Sequence, residues 1–295
     1  MRKIMDDLNN LPTEFDLLQE AIDILKDPAT GHELQETALL RIQDLCAPIW
    51  VAEELPKMGG LEPCLKSLES PVASIRSAAS WALGTAATNN PSVQEALMEA
   101  KGVSKLVNAA KEEDDSDALT KHVFALGGLV RDSLDARKEF ASEGGPGMLV
   151  QLLTGNMTTT RNRLKALTVI RDIALAEGEQ EEGPAAHVLH YDQELLGGVL
   201  SLVTQSNLDL REKALEAMKV LLRSIPSSRT IFQDLHAESV LGGSSVHLVQ
   251  LREEENAEGE DGDDEMSYIA ELLTLLSEVT EMIIKGVDEQ AKDEL

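Results

Sequence analysis

The sequence predicts an all-α fold, a right-handed solenoid of about four helical repeats with helical caps at both ends. Aromatic residues make up only 3% of the 295 residues, which is typical of helices that pack through aliphatic side chains. Apolar residues recur at helical spacing over most of the chain. A glycine also returns before successive apolar segments at a nearly constant interval, which indicates internal repeats.

The returning glycines are Gly60, Gly102, Gly145 and Gly198. The first two intervals are 42 and 43 residues, within the roughly 40 to 47 residues of HEAT and armadillo units. The third interval is 53 residues, and we assign the surplus to a loop insertion at residues 177–183. Because glycine tolerates a positive φ, we expect each marker to form a sharp turn that ends the preceding helix.

Each repeat is predicted to hold a short helix after the glycine and then a longer helix. Leu61, Cys64, Leu65 and Leu68 have the offsets of one apolar helix face and predict the first short helix. We expect long helices at residues 38–49, 75–86, 123–130, 164–174 and 210–222.

The predicted organisation has five segments. Residues 1–57 hold the N-terminal helical cap and the first repeat, with an opening helix at residues 8–26, and residues 58–250 hold the armadillo-type repeats. Residues 251–265 are interpreted as an acidic, disordered linker, since residues 253–265 contain nine acidic side chains and no basic one. Residues 266–291 form the C-terminal capping helix, and residues 292–295 are a terminal motif.

Composition excludes several classes of function. The formal net charge of −27 repels phosphate backbones and anionic membrane surfaces, so nucleic acid is not expected as a partner. No apolar stretch approaches the roughly 18 to 20 residues that span a bilayer, so membrane insertion is not expected either. His187 and His190 lack a third ligand, and the acidic runs at residues 112–117 and 177–182 are interpreted as solvated loops. We therefore expect no enzyme activity, no cofactor and no metal.

The cysteines and the chain ends bear on location. Cys46 and Cys64 are interpreted as small buried hydrophobes, with a disulfide or redox pair as the open alternative. Asn156 begins an N-glycosylation acceptor triplet. No secretory signal peptide is visible, yet the last four residues form an endoplasmic-reticulum retrieval signal, so we expect the lumen, with the cytoplasm as alternative. The signal consists of Lys292, Asp293, Glu294 and Leu295.

Two stretches resemble a known family. Residues 75–91, with their Ser-Ala-Ala-Ser-Trp-Ala-Leu-Gly-Thr core, resemble the second armadillo repeat of the nucleotide-exchange factors of seventy-kilodalton heat-shock chaperones. Residues 123–131 continue the likeness into the next repeat. Residues 211–215 and 268–273 are similar to the endoplasmic-reticulum branch, the BiP-associated proteins. The resemblance covers most of residues 10–285.

This resemblance implies a monomeric armadillo clamp that binds the nucleotide-binding domain of the chaperone BiP and promotes release of ADP. The retrieval receptor would be a second partner. The implied chaperone-binding residues lie on the long helices and are Arg76, Trp81, Thr85, Thr88, Asn89, Lys121, Phe124, Arg131 and Arg171.

Two alternatives stay open at this point. A cytosolic exchange factor of the same family would differ in its location and its chaperone rather than in mechanism. A general armadillo scaffold would bind an extended peptide through regular ladders of Trp and Asn, whereas here only Trp81 lies in a predicted long repeat helix.

Overall fold

A computed structural model of the chain describes residues 12–156, 158–179, 188–258 and 263–286, and every regular element in these ranges is helical. This confirms the all-α prediction. The chain divides into two compact units, Met1–Glu143 and Gly144–Leu295.

The first unit contains three long helices that pack side by side and several shorter ones. Its helices are α1 (Glu14–Lys26), α2 (His32–Leu45), α3 (Ile49–Ala52), α4 (Glu54–Lys57), α5 (Leu61–Ser67), α6 (Ala73–Ala87), α7 (Pro91–Glu99), α8 (Gly102–Glu112), α9 (Ser116–Val130) and α10 (Leu134–Ser142). Helix α6 lies between α2 and α9 and packs on both.

The second unit repeats the alternation of short and long helices. Its elements are α11 (Gly145–Thr154), α12 (Thr160–Gly178), α13 (Gln193–Ser201), a 3₁₀ turn (Leu202–Thr204), α14 (Leu208–Ser224), α15 (Pro226–Asp234), α16 (Ala237–Glu258) and α17 (Asp263–Lys285). Helix α14 packs between α12 and α17, and α16 packs on α17.

The long helices pack closely because their contact faces carry small residues. Helix α6 buries Ala79, Ala82 and Ala86 together with Leu83. A Cβ atom at Gly84 would lie 2.7 Å from the Phe124 ring and 2.9 Å from the backbone of the next long helix, α9. Glycine is therefore required at this position for the approach of the two helices.

The repeat markers work differently from our expectation. The left-handed φ values belong to the preceding residues, with +71° at Gly59, +56° at Lys101 and +87° at Gly144. Gly60 itself has a right-handed backbone, and a Cβ there would lie 2.4 Å from a methyl group of Leu55. The markers thus permit close packing, and the sharp turn comes one residue earlier.

Gly198 departs further from the prediction, because it lies inside α13 rather than at its start. A Cβ at Gly198 would lie 3.0 Å from Leu153 of α11. Sequence spacing therefore identified a close contact between helices where it predicted a turn.

Two further predictions are wrong in detail. A short helix follows α6, α9 and α14, so each of these long helices leads into an element that we had not predicted. Helix α16 continues through Gly242 and Gly243, although a pair of glycines favours a helix break, and it reaches Glu258 inside the expected disordered linker. Residues 1–11 and 287–295, with part of the N-terminal cap and all of the terminal motif, lie outside the described residues.

Within the described ranges, no helix combines the length and the apolar character needed to cross a membrane.

Candidate functional site

A groove in the first unit brings together two of the nine predicted binding residues, Trp81 and Lys121. Helices α2, α6 and α9 run side by side and enclose a depression of about 380 Å³, which we call the α2/α6/α9 groove. Its lining residues are Glu36, Leu40, Ser74, Ser77, Ala78, Trp81, Asp115, Asp117 and Lys121.

An aromatic and a cationic side chain meet in this groove. The Lys121 ammonium of α9 lies 3.4 Å from the centre of the Trp81 ring of α6. Such a contact is worth about 0.5 to 2 kcal/mol, depending on its exposure. Because the two residues come from different helices, the contact fixes a large ring and a charge at one place in the groove.

Carboxylates line the rest of the groove and are held by serine hydroxyls. The Ser74 hydroxyl donates to Glu36 at 2.6 Å, and the Ser77 hydroxyl donates to Asp117 at 3.1 Å. Asp115 caps the start of α9 by accepting from the amides of Asp117 and Ala118. The groove therefore presents negative charge around one aromatic ring.

Beneath the groove, a buried polar chain joins α6 to α9. The Ser80 hydroxyl lies 2.5 Å from His122 Nδ1, and His122 Nε2 lies 3.0 Å from Glu113 Oε2. Ser80 and His122 are fully buried. A carboxylate can only accept, so His122 Nε2 carries the proton and Nδ1 accepts from Ser80. We call Arg76, Ser80, Glu113 and His122 the buried polar relay.

Arg76 completes the relay. Its Nε and Nη2 atoms donate to the two oxygens of Glu113 at 2.7 and 2.6 Å, and Nη1 donates to the Ser70 carbonyl at 2.9 Å. The fork matches the carboxylate in the bidentate manner that strengthens such pairs. We had predicted Arg76 as a chaperone contact, whereas the structure makes it a link between repeats.

The relay shifts the pKa of both titratable members. Burial raises the pKa of Glu113, but hydrogen bonds from Arg76, the Asp115 amide and His122 outweigh it and lower that pKa to about 2. Burial lowers the pKa of His122, and the hydrogen bond to Glu113 opposes this shift only in part. At neutral pH the relay therefore holds an ionised Glu113 and a neutral His122.

The other predicted binding residues of the first unit lie outside the groove lining. Phe124 packs its ring against Gly84 and so supports the packing of α9 on α6. The Thr88 hydroxyl donates to the Gly84 carbonyl at 2.7 Å and so satisfies a carbonyl in the last turn of its own helix. Asn89, with a φ of +53°, and Arg131 are exposed where α6 and α9 end. Thr85 is half-buried on α6.

The remaining predicted residues lie elsewhere. Arg171 belongs to the second unit, where it donates to Asp172 at 2.9 Å. Asn156 is exposed in the turn after α11, as a glycan acceptor must be. Burial raises the pKa of the Cys46 thiol to about 12, and both Cys46 and Cys64 are free and buried, which suits packed thiols rather than thiolates.

Sequence reasoning missed Glu113 and His122. Glu113 was assigned to a solvated acidic run, although its side chain is fully buried, and His122, also fully buried, was given no role. Glu113 lies next to a residue in the opposite environment, since the side chain of Asp114 is 97% exposed. The helical offset of His122 from the buried Val123 and Leu126 was the available signal.

Comparison of the sequence with known proteins identifies a family whose model matches most of this chain. Residues 51–284 match the family model described as the SIL1/FES1/HPBP1 C-terminal domain. The chain is 31% identical over 177 residues to the Hsp70 nucleotide exchange factor FES1 of Yarrowia lipolytica, covering 59% of this chain and 62% of the relative. It is 26% identical over 291 residues to the nucleotide exchange factor SIL1 of Rattus norvegicus, covering 92% and 61%. The chain thus spans about three fifths of these relatives.

Solved structures show the same fold. An engineered protein aligns with a TM-score of 0.68 at 20% identity, over 90% of this chain and 97% of its own. A designed armadillo repeat protein in complex with the peptide (KR)4 aligns with a TM-score of 0.66 at 16% identity, over 89% and 99%. The all-α, armadillo-like solenoid is therefore confirmed as the fold.

Proposed function

Since the chain belongs to the SIL1/FES1/HPBP1 C-terminal domain family, we propose that it is a nucleotide-exchange factor of an Hsp70-type chaperone. The observation that carries the proposal is the family match over residues 51–284, which includes α6, α9 and most of the groove. The relatives named as exchange factors support the same assignment.

We place chaperone contact at the α2/α6/α9 groove. Trp81 is half-buried, with its ring fixed beside Lys121, and tryptophan is among the residues that most often dominate binding energy at interfaces. The surrounding carboxylates favour a basic surface on the partner. Asn89 and Arg131 offer further contacts where the two long helices end.

Exchange requires no reacting group in this chain. The factor needs only to bind the open conformation of the nucleotide-binding domain more tightly than the closed one. Because coupling is reciprocal, ADP then binds more weakly by the same factor. A coupling of about 1 to 3 kcal/mol would weaken ADP binding by 5- to 150-fold.

Among Hsp70-type chaperones, we propose BiP in the lumen of the endoplasmic reticulum. The support is the retrieval tetrapeptide at residues 292–295 and the exposed acceptor Asn156. If the protein enters the lumen, treatment with endoglycosidase H will increase its mobility on a gel, and the Asn156→Gln variant will lose this shift. A chain without a glycan that fractionates with cytosol would favour the cytosolic alternative.

The direct test is release of a fluorescent ADP analogue from purified BiP and, in parallel, from a cytosolic Hsp70. We expect the wild-type chain to accelerate release from BiP. The variant Trp81→Ala with Lys121→Glu should lose most of the acceleration, since it removes the ring and reverses the charge in the groove. Arg131→Glu should reduce it less.

Lys66→Glu on α5 is the matched control, because it reverses an exposed charge outside the groove lining. It should accelerate release as well as the wild type. Absence of acceleration with either chaperone, at concentrations that saturate binding, would refute exchange activity. Equal loss in the groove variant and the Lys66 variant would refute the groove as the contact site.

The acidic lining favours one second candidate, a scaffold that binds a basic peptide. Glu36, Asp115 and Asp117 line the same groove as the Trp81 ring, a combination that suits lysine or arginine side chains. Under this reading, a basic peptide would bind the groove and nucleotide release from the chaperone would be unchanged.

A further inference from the structure

A second surface of the first unit exposes large apolar side chains. The rings of Phe15 on α1 and Trp50 on α3 meet edge to face, with centres 5.4 Å apart. Phe15 is 39% exposed, Trp50 is 53% exposed and the adjacent Ile49 is 51% exposed. These are three of the seven exposed large apolar residues within the described ranges, and we call them the Phe15/Trp50 patch.

The patch is held rigidly, which lowers the entropic cost of binding. Thr13 and Asp16 form a capping box that fixes the first turn of α1, in which Phe15 lies. The residue after Trp50, Val51, is fully buried and anchors α3. The side-chain amide of Asn90, which caps the start of α7, donates to the Ile49 carbonyl at 3.4 Å.

The charges around the patch indicate which occupant fits. Glu14 precedes Phe15, and Glu53 follows Trp50 by three residues, which places it on the same helix face. The ammonium group of the nearby Lys57 forms an ion pair with the Glu54 carboxylate at 2.8 Å. A second copy of a chain with a net charge of −27 would be repelled, whereas a basic segment would be attracted.

We propose that the Phe15/Trp50 patch is a docking site for a protein segment that carries bulky apolar side chains between lysines or arginines. The apolar side chains pack on Trp50, Phe15 and Ile49. The basic side chains pair with Glu14 and Glu53. This site is separate from the groove lining and does not depend on nucleotide exchange.

The test uses fluorescein-labelled heptapeptides and fluorescence anisotropy with the full chain in about 0.15 M salt, where long-range attraction is screened. The Lys-Leu-Lys-Leu-Lys-Leu-Lys peptide should bind. Peptides with serine in place of leucine, or glutamate in place of lysine, should bind at least tenfold more weakly. The double variant Phe15→Ala, Trp50→Ala should lose at least tenfold in affinity for the first peptide, a typical hot-spot effect.

Two further variants keep the test independent of folding. Glu14→Lys with Glu53→Lys leaves the aromatic pair intact and should also weaken binding of the lysine-leucine peptide. The control Val246→Ala with Val249→Ala removes exposed apolar groups from the second unit and should change affinity less than twofold. The groove variant Trp81→Ala should likewise bind as the wild type does.

Three results would overturn the proposal. Unchanged affinity in the Phe15, Trp50 variant would show that the patch is not the site. A loss of affinity in the Trp81 variant as large as that in the patch variant would assign the peptide to the groove. A tenfold gain in the Arg2→Glu, Lys3→Glu variant would mean that the chain's own basic segment occupies the patch.

Discussion

Both units bury a glutamate side chain, but the hydrogen-bond networks around the two glutamates join different parts of the structure. In the first unit Glu113 binds Arg76 and His122 and so joins the long helices α6 and α9. In the second unit Glu177 accepts from the amides of Val188 and Leu189 at 2.7 and 3.4 Å, and from the Tyr191 hydroxyl at 2.7 Å.

The two networks also differ in charge. Glu113 has a guanidinium partner 37 residues away in sequence, whereas the donors to Glu177 are neutral and lie 11 to 14 residues away. A charged, long-range link fixes the spacing of α6 and α9, which carry Trp81 and Lys121. The neutral, local hydrogen bonds of Glu177 hold residues 188–191 against the end of α12. The charged network around Glu113, which joins two long helices, therefore lies beneath the proposed binding groove.

Glu113→Ala should produce the largest effect in this comparison. It leaves the Arg76 guanidinium without its carboxylate in a site where that side chain is only 17% exposed. Breaking such a pair costs about 3 kcal/mol, the lower end of the usual range, since Arg76 can partly reach water. Urea unfolding followed by tryptophan emission will measure it, because both tryptophans of the sequence, Trp50 and Trp81, lie in the first unit.

The neighbouring Glu112→Ala is the matched control, since Glu112 is exposed on the same turn. It should change the free energy of unfolding by less than about 0.5 kcal/mol. A similar loss in both variants would mean that Glu113 is not a special link.

Glu177→Ala should have a smaller effect, about 2 kcal/mol, because the donors it leaves unpaired are neutral. Tyrosine emission is the suitable probe, as Tyr191 and Tyr268 are the two tyrosines of the sequence and both lie in the second unit. The exposed Glu179→Ala should leave the transition unchanged.

Glutamine sharpens the contrast between the two sites. At Glu177 the amide oxygen can still accept from Val188, and the amide nitrogen can donate to the Tyr191 hydroxyl, so Glu177→Gln should recover about half of the loss. At Glu113 the amide nitrogen would face the Arg76 guanidinium, so Glu113→Gln should stay close to Glu113→Ala. Recovery at both sites would show that charge is unimportant in the first unit.

The networks show where sequence reasoning succeeds and where it stops. The repeat period and the helical faces follow from local apolar spacing, so the fold and the long helices were predictable. Glu113 and Glu177 were both read as solvated because acidic runs usually are. Their burial depends on Arg76, which is 37 residues distant from Glu113, and on residues 188–191, which contact Glu177 near the end of α12. The spacing of residues along one helix predicts neither of these two sets of contacts.

The groove was also only partly predictable, because it depends on contacts between residues that are distant in the sequence. The resemblance implies Trp81 and Lys121 as binding residues on the long helices. Their mutual contact depends on the register of α6 against α9, which Gly84 and Phe124 set through close packing. Acidic lining residues such as Glu36 and Asp117 carried no local pattern that distinguished them from surface charge.

The smallest expected effect is a pH dependence confined to the first unit. In the folded protein the pKa of His122 is below its ordinary value, because burial disfavours the charged ring. The unfolded chain therefore binds more protons as the pH falls below about 6.5, and folding stability decreases in that direction. Glu113 adds a second loss from about pH 4.5 downward, toward its folded pKa of about 2.

Urea midpoints from tryptophan emission at pH 7.5 and pH 5.5 will isolate the histidine. Arg76, Glu113 and Ser80 are the groups that face His122 in the relay, and Glu113 stays ionised at both values. The wild type should be less stable at pH 5.5, and His122→Gln should lose this difference. The exposed His32→Gln in α2 should keep it. If His32→Gln also abolishes the difference, protonation elsewhere in the unit, and not the relay, sets the pH response.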